Sequence, residues 1–264
     1  MYTLTTLHHL RARLNLGATD TADDARLLNA LEAASTSIER ATGRRFSPHR
    51  LTRLHDFTNP VELLLEDDLL DLQSITNGDG SALDLGDVIR LPDSTPHSVL
   101  RLTGSSAFLY MRSPLEAIAV TGTWGWHERW STAWRSTSDS VQDNPLSASS
   151  ITLTVTDADG ADAIGEAPRF QVGHLLKIDD EYLRVIAVNP ASNLLTVLRG
   201  VNGTSAAAHN LNAPISTYQP SADVEALALR WAAWLYREPD TAHPGEPLDL
   251  LESLDSLQRT RVRV

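Results

Sequence analysis

The chain has no cysteine, which excludes disulfides, zinc–thiolate sites and thiol catalysis. It also has no apolar run approaching the roughly 20 residues that span a bilayer. The opening MYTLTTLHHLRARLNLG lacks the basic start and apolar stretch of a secretory signal, so a cytoplasm-like compartment is expected. Catalytic patterns are missing too. There is no Gly-x-Ser-x-Gly elbow, no phosphate-cradling glycine loop and no His-Glu-x-x-His, and scattered carboxylates do not make a matched acid/base pair. A formal net charge of −12 argues against a general nucleic-acid binder, because nothing makes a strong phosphate footprint. The expectation is a binding or assembly protein with no enzymatic activity, cofactor, metal or membrane contact.

What is present begins with the strongest helix, residues 21–46. Leu27, Leu31, Ala34, Ile38 and Ala41 recur on one face, and Asn29, Glu32, Thr36 and Glu39 form the solvated one. Thr21 can cap its start, with Asp23 and Asp24 at the positive end of the dipole, and Gly43 can close it. Before it, Leu4, Leu7, Leu10, Leu14 and Leu16 predict a short helix ended by Gly17, so that the two form a helical hairpin. His8 and His9 are adjacent, which turns their rings about 100° apart on a helix, and no third ligand follows at helical spacing.

Beyond Phe46, short apolar runs at 51–57, 61–65, 72–76, 88–91, 99–103 and 118–123 alternate with turn signals and predict a small antiparallel meander. Glu66-Asp67-Asp68 is expected to be a solvated turn. Trp124, Trp126 and Trp130 then fall within one short stretch of a chain that has six tryptophans. They fill a core or subunit interface, or form a stacking platform for a carbohydrate or host-recognition module.

Residues 131–149, rich in Ser, Thr and Asp, are expected to be a linker. Strands at 151–156, 175–178, 182–188 and 194–198 predict a compact β module over 147–218. Asp157 to Asp162 lacks the ligand register of an EF-hand, so turn chemistry accounts for it better. The Asn202-Gly203-Thr204 sequon carries no meaning without secretion. From Ser221 the helical period returns with Val224, Leu227, Ala228, Trp231 and Leu235, and alanines line much of the remaining surface. Pro239 stops this helix, and Leu248, Leu251, Leu254 and Leu257 suggest a last amphipathic segment. The end alternates Arg259, Arg261 and Arg263 with Thr260, Val262 and Val264, which suits either an extended arm or a frayed terminus.

The order of these pieces is familiar. Residues 23–46, ending Thr42-Gly43-Arg44-Arg45-Phe46, residues 120–126 with Trp124-Gly125-Trp126, and residues 224–236 together resemble the head–tail connector (adaptor) proteins of siphophages and gene transfer agents. The 147–218 module looks like one that recurs in phage virion proteins, and it departs from the family by sitting where a loop is usual.

The resemblance implies an α+β fold. A helical core, made of the N-terminal hairpin and a long C-terminal helix, would carry the small meander and the inserted all-β module. The expected division is 1–146 with 219–247 as adaptor core, 147–218 as inserted domain, and 248–264 as C-terminal arm. It further implies a non-enzymatic homo-oligomeric ring of about twelve copies beneath the portal protein. Such a ring continues the DNA channel without sequence-specific binding and offers a platform to head-completion, stopper or tail proteins. The localisation implied is the head–tail interface of the virion, after assembly in the host cytoplasm. Arg259, Arg261, Val262, Arg263 and Val264 would grip the portal. Leu31, Ile38, Trp124, Trp126, Trp231 and Trp234 would serve the core or the subunit interface.

Overall fold

The computed structural model describes residues 2–17, 21–237 and 248–258. In chain order the elements are α1 (Leu7–Leu14), α2 (Asp24–Thr42), β1 (His49–His55), β2 (Glu62–Thr76), β3 (Val88–Leu91), β4 (His97–Leu102) and β5 (Ile118–Trp124). They continue with β6 (Trp134–Ser140), β7 (Thr152–Thr154), β8 (Leu175–Ile178), β9 (Glu181–Asn189), β10 (Leu194–Leu198), β11 (Pro214–Tyr218), α3 (Ala222–Arg237) and α4 (Leu248–Leu257). The chain forms two compact units, one of Met1–Gly43 with Thr132–Val264 and the other of Arg44–Ser131.

The expected helical core with a small meander is overturned. The protein is mostly β, with antiparallel sheets of five and six strands and four α-helices among the described residues. The helices pack on one another in the first unit but do not organise the whole chain.

In that unit, α1 is capped by the Thr6 hydroxyl, which accepts from the His9 amide, and it closes at Asn15 in the left-handed region, two residues before the glycine expected to end it. The N-cap of α2 is Asp23, not Thr21, and Gly43 ends the helix at φ +66° as its position suggested. Leu27, Leu31, Ala34 and Ile38 are buried, as are Val224, Leu227, Ala228 and Trp231 of α3, and α2 packs along α3. Leu254 and Leu257 of α4 are buried too, where that helix meets α2 and α3.

The six-stranded sheet of the same unit runs β6-β11-β8-β9-β10-β7. It curls until the chain just past β6 meets β7, where the Gln142 amide donates to the Thr154 carbonyl at 2.9 Å. Phe170, Leu176, Ile178, Leu183, Val185, Leu195 and Ile215 fill the enclosed core. The expected linker at 131–149 is therefore a strand and a closure point. β6 has a single large apolar residue, and its buried Thr137 is held by donating to the Ile215 carbonyl at 2.8 Å.

The second unit is the sheet β1-β5-β2-β4-β3. Its β2 joins two expected strands into one of 15 residues, with register shifts between Leu64 and Leu69. Leu63, Leu65, Leu69, Leu72, Ile75, Leu100, Phe108, Ile118, Val120 and Trp124 form its core.

Candidate functional site

The two most specific sequence motifs meet in the second unit. The Trp126 amide donates to the Arg45 carbonyl at 2.6 Å. The buried Phe46 ring meets Trp126 edge-on, with centroids 5.6 Å apart. Arg44 lies 5.6 Å from the centre of the Trp126 ring and pairs with Asp68 at 3.4 Å, so one guanidinium has both a π face and a carboxylate. Gly125 is required between them: its φ is +146°, and a Cβ there would lie 2.8 Å from the Ser47 carbonyl oxygen.

Trp124 sits one step deeper. It is 1% exposed and its indole donates to the Leu51 carbonyl at 3.0 Å. His55 stacks on it at 5.8 Å and Arg53 lies 5.4 Å from its ring centre. Burial lowers the His55 pKa, despite Glu66 and Asp67 nearby.

Arg53 also pairs with Asp67 at 2.8 Å. The acidic run is thus not a solvated turn: it lies within β2, with Asp67 and Asp68 matched to arginines and Asp68 buried. Neither Trp124 nor Trp126 keeps two free ring faces for a sugar. Trp130 is half-buried, and its amide donates to Thr95. The arrangement joins cations, rings and carboxylates with no nucleophile beside a base, which is the chemistry of a packed junction.

The first unit holds its own charged network. Tyr2 binds α2 twice, its amide to Glu32 at 2.8 Å and its hydroxyl to Glu39 at 2.6 Å. Arg184 of β9, fully buried, donates to the carbonyls of Thr3 at 3.3 Å and Gly173 at 2.9 Å. Burial pulls its pKa down, opposed by Tyr2 and Glu32.

His9 bridges Glu225 of α3 at 2.7 Å and Glu166 of the 157–170 loop at 3.0 Å. The hydrogen bond to Glu225 raises the His9 pKa above that of an ordinary histidine. Burial alone would raise Glu225, but the bond and charge of His9, with a bond from Thr5, bring it below the usual carboxylate value. Arg135 reaches Asp162 at 2.7 Å and Glu166 at 2.5 Å. Asp157 and Asp162 accept from turn amides, Gly160 for the first and Ile164 and Glu166 for the second, so these carboxylates shape a turn. Among the described residues no group of three or more His, Cys, Asp or Glu side chains is arranged to hold a metal ion.

His174 is buried and held near pKa 3, chiefly by burial and then by the neighbouring His9, Arg135 and Arg184. Glu181, also buried, clamps the loop before β11. It takes Arg199 at 2.7 Å, His209 at 2.9 Å and the Gly200 and Ala207 amides. Burial would raise it, but these donors hold it near 2. Thr204 of the sequon is spent inside this loop, donating to Val201 and accepting the Tyr182 amide.

Leu31 and Ile38 are fully buried, Trp124 and Trp231 nearly so, and Trp126 and Trp234 are half-buried. Arg259, Arg261, Val262, Arg263 and Val264 lie outside the described residues. Sequence reasoning missed Arg184 and Glu181, whose partners are distant in the chain. It also missed an exposed apolar loop holding Leu109, Tyr110, Met111 and Leu115, whose signal was an apolar run ahead of a Ser-Pro turn. No described helix is long and apolar enough to cross a membrane.

No family model matches this chain, and no curated protein does. Among solved structures, a chain described as "Neck of empty GTA particle computed with C6 symmetry" is similar, with a TM-score of 0.47 and 12% identity over 98% of this chain and 92% of that one.

Proposed function

We propose that this chain is a non-enzymatic structural protein of the neck of a tailed phage or phage-like particle. In this reading it is a head–tail connector that forms a ring beneath the portal, continues the DNA channel and offers a platform for tail attachment. The observation that carries it is the junction in the second unit. Thr42 to Phe46 and Trp124 to Trp126 bear the family resemblance, and Arg44, Arg45 and Phe46 pack directly on Trp126 although some 80 positions separate them.

Two further features support the reading. A net charge of −12 keeps passing DNA from adhering to the channel wall. Exposed apolar chains such as Met111 at 66% and Leu115 at 67% suit a protein that is covered by others in its working state. In this scheme residues 147–218 are an addition to the connector plan, residues 259–264 engage the portal, and stopper or tail proteins bind the opposite side of the ring. The carbohydrate-binding alternative has less support, because His55 stacks on Trp124 with Arg53 over its ring, and Arg44 lies over Trp126 with Phe46 edge-on to it.

The test is native mass spectrometry and negative-stain imaging of the purified chain, alone and mixed with the portal of the same particle. A ring alone or on the portal supports the connector. A monomer that ignores the portal, together with glycan binding abolished by Trp126→Ala, overturns it.

A further inference from the structure

The second unit carries two exposed apolar surfaces on opposite sides of its sheet. The first is the 104–116 loop, where Leu109 and Tyr110 are each 46% exposed, Met111 66% and Leu115 67%. At these exposures the four side chains present roughly 400 Å² of largely apolar area, the size at which surface patches mark interaction sites.

The loop is nevertheless anchored along its length. Phe108 is buried in the core of the unit and its amide donates to the Pro60 carbonyl at 2.8 Å. Asn77 takes the Leu109 amide and donates to the Ala107 carbonyl. Phe57 packs on Tyr110 at 4.8 Å and donates its amide to Pro114 at 2.7 Å. The Glu116 amide is held by Asp56 at 2.7 Å. A loop fixed at so many points loses little conformational freedom when it binds.

The second surface is the outer face of β2, β4 and β3. Register places Leu64 opposite Val99 and Val99 opposite Leu91, a continuous apolar row across three strands. Ile89 lies in the next row beside Arg101 and Glu62. Leu64 is 48% and Ile89 45% exposed, and Val99 and Leu91 are half-buried. The intervening Leu63, Leu65 and Leu100 point inward to the core, on the side that Phe108 and its loop close off.

Charge matches across the two surfaces. Arg112 follows Met111 at the tip of the loop, and Glu66 shares the outer face of β2 with Leu64 by strand alternation. Among the described residues neither Arg112 nor Glu66 is in an ion pair.

We propose that the 104–116 loop of one copy seats Leu109, Tyr110, Met111 and Leu115 on the Leu64–Val99–Leu91 row of the next copy, with Arg112 against Glu66. Because the two surfaces differ and lie on opposite sides, the contact is heterologous and propagates head to tail, closing into a ring where the rotation allows. The proposal rests on the connector reading for the identity of the occupant, a second copy of this chain.

The absence of cysteine makes a direct test clean. Full-length chain carrying Glu66→Cys and Arg112→Cys together, assembled alone or on the portal, is treated with a short bis-maleimide. A ladder of covalent multimers is expected, and neither single variant should give one. In parallel, Arg112→Glu should raise the concentration for half-assembly about tenfold, and Glu66→Arg added to it should restore assembly. Wild-type chain that forms rings, with rings of the double-cysteine chain giving no ladder and Arg112→Glu assembling as the wild type does, would overturn this contact while leaving the connector reading in place. Wild-type chain that never assembles, even on the portal, would overturn both.

Discussion

The Arg45 carbonyl accepts the Trp126 amide at 2.6 Å, and this single backbone bond ties the start of the second unit to the end of its last strand. Around it, Phe46, Arg44 and Asp68 close on the Trp126 ring and on the Gly125 backbone. Substitutions at this junction therefore act on the fold of that unit.

Gly125→Ala should be costly for a small change. The new Cβ meets the Ser47 carbonyl oxygen at 2.8 Å, in a backbone conformation that L-residues rarely adopt. A loss of about 1–3 kcal/mol is expected, read from denaturant midpoints of the full chain. An unchanged midpoint would mean that the strand end relaxes freely.

Arg184→Met should loosen the N-terminal segment. It removes the guanidinium donor from the Thr3 and Gly173 carbonyls inside the protein and leaves Gly173 only the Thr3 hydroxyl at 3.5 Å, at a cost of about 2–3 kcal/mol. Hydrogen exchange should speed up at the Leu4 and Leu7 amides, which bind Ser35 and the Val172 carbonyl. Exchange confined to wild-type rates there would contradict the anchoring role.

His174 makes the first unit sensitive to acid. The unfolded chain takes up the proton near pH 6.5, the folded chain only near 3, so its contribution is complete above 6.5 and falls steadily as pH drops from there toward 3. His174→Asn can still accept the Gln171 amide that now binds the ring nitrogen. The variant should show a flatter stability profile between pH 6.5 and 4.5.

His9 acts in the opposite sense. Its pKa is raised, first by the bond to Glu225, so its stabilisation is full below 6.5 and is lost as pH rises through its folded value. The carboxylate half of the pair, Glu225, contributes above its ordinary range and fails as pH falls through its lowered value. NMR titration of the His9 ring should give a midpoint above 6.5 that drops in Glu225→Gln. No drop would assign the shift to Glu166 instead.

The helices were legible because α2 and α3 advertise a 3.6-residue period with caps or breakers at their ends. The share of β structure was not. β6 carries Thr137, Asp139 and three serines, and its burial comes from bonds rather than from apolar alternation. The Asp139 carboxylate accepts the Thr156 and Asp157 amides, contacts that only the closed sheet brings together. β2 was split in two by Glu66, Asp67 and Asp68; Arg53 and Arg44, which pair with Asp67 and Asp68, are neighbours only in space. The two motifs of the junction could each be read from the sequence, whereas their contact could not, because it depends on β5 pairing with both β1 and β2.

The most direct test of the connector account is the mass and symmetry of the complex between this chain and the portal of its particle. Native mass spectrometry supported by imaging should find a closed ring of this chain seated on the portal, with about one copy per portal subunit. A chain that stays monomeric in the presence of the portal, at concentrations where other neck components assemble, would contradict the account.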